Sequence, residues 1–71
     1  MKIIIKLDDL LDKQNMSQHE LSRKTGVRQP TINAMCRNQS KRIPLDNLAS
    51  ICEVLECDIT DVLELINEPT E

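Results

Sequence analysis

The chain has one glycine in 71 residues, and that residue, Gly26, lies between two short segments that each read as a helix. Upstream, Ser17-Gln18-His19-Glu20 has the form of a capping box. The Ser17 hydroxyl is placed to accept from the Glu20 amide, and the Glu20 carboxylate to reach back to the Ser17 amide. A helix therefore starts at Gln18 and runs to about Thr25. Gly26, lacking a Cβ, supplies the left-handed backbone that stops it. A second helix runs from about Gln29 to Arg37, with Ile32 and Met35 turned inward at i, i+3. Pro30 is compatible with it because first-turn amides have no intrahelical partner. Two helices joined this tightly must cross steeply and share one core. Leu21, Val27, Ile32 and Met35 supply that core, and Ser22 is small where the second helix meets the first.

The rest of the chain reads in the same way. Met1–Lys6 is β-branched and forms either a short strand or an apolar arm. From Lys6 to about Gln14, Leu7, Leu10 and Leu11 recur at i, i+3 and i+4. Asn15-Met16 breaks the pattern. Asn38–Ile43 is a polar, basic loop. Pro44 opens a helix through about Glu56, in which Leu45, Leu48, Ala49, Ile51, Cys52 and Leu55 are expected as a broad buried stripe. Asp58-Ile59-Thr60-Asp61 resembles a second capping box, with acids where the helix dipole is positive. The helix that follows is expected to run to about Ile66, with Ile59, Val62, Leu63 and Ile66 inward. The expected fold is all-α: one domain over residues 1–71 with five short helices, an N-terminal arm at 1–5 and a frayed tail at 67–71.

Composition narrows the function. The chain has no Phe, Tyr or Trp, so the core is aliphatic. It also lacks the aromatic platforms on which most single-strand and RNA readers stack bases. No apolar run approaches a membrane span, and the apolar N-terminus is interrupted by Lys6, Asp8 and Asp9, too early for a signal segment. A cytoplasmic protein is expected. Cys36, Cys52 and Cys57 are odd in number and contain no Cys-x-x-Cys pair, so they read as reduced thiols acting as small core residues. Neither a metal nor a cofactor is expected. His19 has no catalytic partner, and no nucleophile set, carboxylate pair or Gly-rich phosphate loop is present, so enzymatic chemistry is not expected.

The net charge is −3, but its distribution is uneven. Residues 1–17 sum to zero. Residues 18–42 carry Arg23, Lys24, Arg28, Arg37, Lys41 and Arg42 against Glu20 alone, a local charge of +5. Residues 43–71 carry eight acids and no Lys or Arg. A DNA duplex responds to the face it meets rather than to the sum.

In Ser17-Gln18, Leu21-Ser22, Gly26-Val27 and Ile32 the chain resembles the helix-turn-helix of the Xre/Cro family of phage and bacterial repressors. Ile43-Pro44-Leu45-Asp46, Leu48, Ile51-Cys52, Leu55 and Cys57-Asp58-Ile59 through Leu63 extend the resemblance into the two helices that follow the motif, covering roughly residues 6 to 66. The resemblance implies a lambda-repressor-like fold and a sequence-specific regulator of double-stranded DNA, most simply a repressor, with the 29–37 helix entering the major groove. With Ile32 and Met35 inward, Gln29, Asn33 and Arg37 form the opposite stripe, flanked by Pro30 and Ala34. Gln and Asn match adenine N6/N7 and Arg matches guanine O6/N7, while Pro30 and Ala34 offer only contacts to thymine methyls. Arg28 occupies an N-cap position where it serves as a phosphate or guanine contact, or as a solvated side chain. Gln18 is a phosphate contact at a helix N-terminus. Thr31 suits either job, and Asn38, Gln39, Ser40, Lys41 and Arg42 form a loop suited to gripping the backbone. Cys36 takes no assigned role.

One recognition helix reads only a few base pairs, so the resemblance also implies a homodimer on two half-sites. The candidate dimer surfaces are the arm Ile3–Ile5, paired as a strand across the two-fold, or the last helix with Ile59, Val62 and Ile66. The alternative function is an antitoxin, or a protein-binding adaptor or anti-repressor, using the same fold and taking a protein partner through the acidic C-terminal part.

Overall fold

A computed structural model of the chain describes residues 1–67; positions 68–71 of the expected frayed tail lie outside the described residues. The elements run β1 (Lys2–Ile5), α1 (Leu7–Lys13), α2 (Gln18–Thr25), α3 (Gln29–Cys36), α4 (Leu45–Leu55), α5 (Ile59–Val62) and β2 (Leu63–Ile66). The five expected helices are present. The fifth is a single turn, and the residues expected to continue it form a strand instead.

Helix starts follow the local chemistry. Ser17 Oγ accepts from the Glu20 amide at 3.0 Å. Glu20 itself turns outward and pairs with Lys24 at 3.3 Å, one turn along, so only the Ser17 half of the first box is observed. At α5 the box is complete: Asp58 accepts from the Ile59 amide at 2.8 Å, and Asp61 accepts from the Asp58 amide at 3.0 Å.

The core is one aliphatic cluster. Leu7 and Leu11 of α1, Leu21 of α2, Val27 of the turn, Ile32 and Met35 of α3, and Ile51 and Leu55 of α4 are all buried in it. Gln14 adds a polar tie: its side-chain amide donates to the Leu55 carbonyl at 2.8 Å, satisfying one of the acceptors left open at the end of α4.

The stripe on α4 is narrower than its composition suggests. Leu48, Ile51 and Leu55 are buried, but Leu45 is 80% exposed, Ala49 is exposed and Cys52 is only half-buried. Ile59, also expected inward, is 48% exposed. The physical reason is the early end of α5. Helix α5 stops after one turn, and the apolar residues expected to extend it go elsewhere.

They go to β2, which pairs antiparallel with β1 in the register Lys2↔Ile66, Ile3↔Leu65, Ile4↔Glu64 and Ile5↔Leu63. The Lys6 amide extends the ladder by donating to the Val62 carbonyl at 2.6 Å, and the Lys6 ammonium reaches Glu64 at 3.7 Å. The N-terminal arm is thus a strand whose partner lies in its own chain. Pairing positions alternate between bonded inward and turned outward, so the bonded Lys6/Val62 pair leaves the Ile5 amide facing away from β2. Asn38 Oδ1 accepts that amide at 3.1 Å.

Candidate nucleic-acid interface

The turn between α2 and α3 sets the geometry. Gly26 has φ 79° and ψ 1°, and its amide donates to the Ser22 carbonyl at 2.9 Å. An added Cβ would meet nothing within 4 Å, so glycine is required there by backbone conformation and not by crowding. Two hydroxyls then fasten the turn. Ser22 Oγ donates to the Val27 carbonyl at 2.6 Å. Thr25 Oγ1 donates to the Leu21 carbonyl at 2.7 Å and accepts from the Val27 amide at 3.1 Å. Ser22, chosen in sequence terms for its small size, also carries a hydrogen bond that no spacing announces.

Beyond the turn, Arg28 stands at the N-cap of α3 in extended conformation with no side-chain cap bond. Ile32 and Met35 are fully buried. On the other side of the helix, Gln29, Pro30 and Asn33 are exposed and Ala34 is half-buried. Gln29, Pro30, Asn33, Ala34 and Gln39 together line one open, shallow depression with no carboxylate in it. The structure therefore brings together four of the expected base-facing residues and adds Gln39, which sequence reasoning had left in the adjoining loop. Arg37 is exposed at the C-cap of α3, and Thr31 is half-buried.

The flanking residues fall as follows. Gln18 is half-buried at the first position of α2. Lys41 and Arg42 are exposed in the loop before α4, where Ser40 Oγ donates to the Arg42 carbonyl at 3.1 Å. Asn38 ends α3 with φ 58°, and its side-chain oxygen is occupied by the Ile5 amide, which leaves its amide nitrogen for any other contact. All six cations of the 18–42 segment are exposed, and its one carboxylate, Glu20, is engaged by Lys24.

His19 makes a contact that sequence reasoning did not anticipate. Its Nδ1 lies 3.5 Å from Gln29 Oε1, so the first turn of α2 touches the first residue of α3. Ten positions separate the two, and only the crossing of the helices brings them into contact.

A family model of the Cro/C1-type HTH DNA-binding domain matches residues 6–68. The chain belongs to this family. The Cro/C1-type domain is similar to the uncharacterised HTH-type transcriptional regulator YozG of Bacillus subtilis (strain 168), with 39% identity over 64 residues, 90% of this chain and 76% of that protein. It is also similar to the solved structure of the transcriptional regulator VanUg, with TM-score 0.75 and 32% identity over 94% of this chain and 88% of that one. A Bacteroides fragilis protein shares the fold at TM-score 0.78 with 22% identity, covering 89% of this chain and all of that one. The Cro/C1-type domain is a DNA-binding fold with double-stranded DNA as its partner, and the family is not an enzymatic one. Among the described residues no helix is long and apolar enough to cross a membrane, and no cluster of ligating side chains suits a metal ion.

Proposed function

We propose that the protein is a sequence-specific transcriptional regulator that reads the major groove with α3, acting most simply as a repressor that occludes a promoter. The observation carrying this reading is the division of α3: Ile32 and Met35 are sealed in the core, while Gln29 and Asn33 stand exposed on an uncovered face without carboxylates. Gln29 and Asn33 are the adenine-reading pair, Arg37 is suited to guanine or phosphate, and Pro30 and Ala34 provide apolar contacts for thymine methyls. Arg28, Gln18, Thr31, Lys41, Arg42 and the remaining amide of Asn38 hold the backbone and fix the register. His19, in contact with Gln29, orients that side chain. One such helix covers a few base pairs, so two copies bind two half-sites about one turn apart.

A second reading, binding of a protein partner as an antitoxin, adaptor or anti-repressor, is favoured by one observation. The exposed apolar flank of α4, with Leu45 and Ile59 beside Glu53 and Asp58, forms an acid-rimmed groove.

A salt-dependent titration on promoter and random DNA separates the two. The double variant Gln29→Ala, Asn33→Ala should lose affinity for the specific site by about 1–3 kcal/mol for each base contact removed. Weak binding to random DNA should persist with its salt slope unchanged, because the phosphate contacts remain. Absence of any DNA binding by the wild-type protein at low salt would overturn the base-reading proposal in favour of the protein-partner reading.

A further inference from the structure

The corner between α4 and α5 holds two thiols in an arrangement that the helix-turn-helix does not use. Glu56 adopts φ 52° and ψ 49°, the left-handed conformation that turns the chain back on itself after α4. The Cys57 amide then donates to the Cys52 carbonyl at 3.0 Å, and the Glu56 amide donates to the Glu53 carbonyl at 3.3 Å. This is a Schellman closure, in which the side chains at the two ends of the six-residue loop commonly meet as a small apolar contact. Here both ends are cysteines, Cys52 and Cys57, brought to one side of the corner where they line the same groove. Both are half-buried and line the open groove with Leu48, Ala49 and Ile59, within reach of small reagents. Cys36 is elsewhere, at the end of α3 near Asp8 of α1.

We infer that Cys52 and Cys57 form a dithiol–disulfide pair, a redox-modification site that covalently closes the α4–α5 corner. The oxidant class is a low-molecular-weight disulfide. The Cys52 thiolate attacks one sulfur of the reagent, forming a mixed disulfide and expelling one thiolate. The Cys57 thiolate then attacks the Cys52 sulfur, forming the intramolecular bond and expelling the second thiolate. The two cysteine protons end on the two departing thiols, and the pair gives up two electrons to the reagent. Burial, ahead of the nearby Cys52, Asp61 and Asp58, pushes the Cys57 thiol up to about 11. The second attack is intramolecular, so the closeness of the two residues offsets the small thiolate fraction at Cys57.

The test uses the full chain, wild type and Cys36→Ser, equilibrated in mixtures of oxidised and reduced glutathione, quenched by alkylation and digested with a glutamate-specific protease. Glu53 and Glu56 lie between the two cysteines, so the protease cuts the loop and only a disulfide holds the fragments together. The expected result is a linked fragment from monomeric protein in both forms, with closure favoured about tenfold more in buffer than in urea, since folding holds the two cysteines at the ends of one closed turn. The single variants Cys52→Ser and Cys57→Ser should stop at one glutathione adduct on the remaining thiol of the pair. Closure no easier in the folded protein than in urea would overturn the inference. So would stable glutathione adducts on Cys52 or Cys57 of the wild type, or cross-linking between chains through either residue.

Discussion

The segment 17–37 and the segment 58–66 both begin with a capping motif, yet they are built on different physics. In the first, every feature that fixes the backbone lies within a few residues of its target: Ser17 caps Glu20, Gly26 ends α2, and Ser22 and Thr25 fasten the turn. In the second, the local signal starts one turn of helix and then gives way. Leu63–Ile66 leaves the helical path because strand Lys2–Ile5, about sixty residues earlier in the chain, offers it a hydrogen-bonding edge. The caps and the turn of the first depend on near neighbours, and the strand of the second is conditional on a distant partner.

Substitutions at three positions sharpen or break this contrast. The largest effect is expected from Ile32→Ala, which empties a fully buried site shared by α1, α2 and α4. It should cost about 2–5 kcal/mol in denaturant unfolding. A loss below about 1 kcal/mol would mean that α3 is not anchored as described. Next is Gly26→Ala. No atom opposes the new methyl group, so the cost should be that of left-handed backbone alone, about 1–2 kcal/mol. Gly26→Asn should recover part of it, because Asn tolerates that conformation; equal losses would show that packing, not φ, governs the turn. The smallest global effect is expected from Glu64→Pro, which removes a donor from the ladder opposite Ile4. Amide exchange at residues 2–6 should accelerate while the α2–α3 amides keep their protection, because a two-stranded ribbon is marginal by itself and opens locally. Cooperative loss of α3 protection in that variant would erase the distinction between the two segments.

The same contrast explains what was legible in the sequence. The first four helices, the inward residues Leu7, Leu11, Leu21, Ile32 and Met35, and the exposed Gln29/Asn33 stripe all follow from helical spacing, caps and one glycine, which are local quantities. The strand was not legible because Val62-Leu63-Glu64-Leu65-Ile66 satisfies two templates. Val62, Leu63 and Ile66 fit a helix face, while Leu63 and Leu65 alternate as a strand does, and so short a run cannot decide between them. The exposure of Leu45 and Ile59 follows from that same ambiguity, since their covering was assumed from a helix that ends after one turn. The contacts His19–Gln29, Asn38–Ile5 and Gln14–Leu55 depend on where whole helices cross, and no spacing in the chain encodes them.

The Asn38 side chain has one more consequence. By occupying the outward-facing amide of Ile5, it blunts one border of the terminal ribbon, much as a lysine or proline does in sheets that must not grow by accretion. Exchanging this single carboxamide for a methyl group would leave that amide open to a neighbouring strand, at a position that also closes the end of α3.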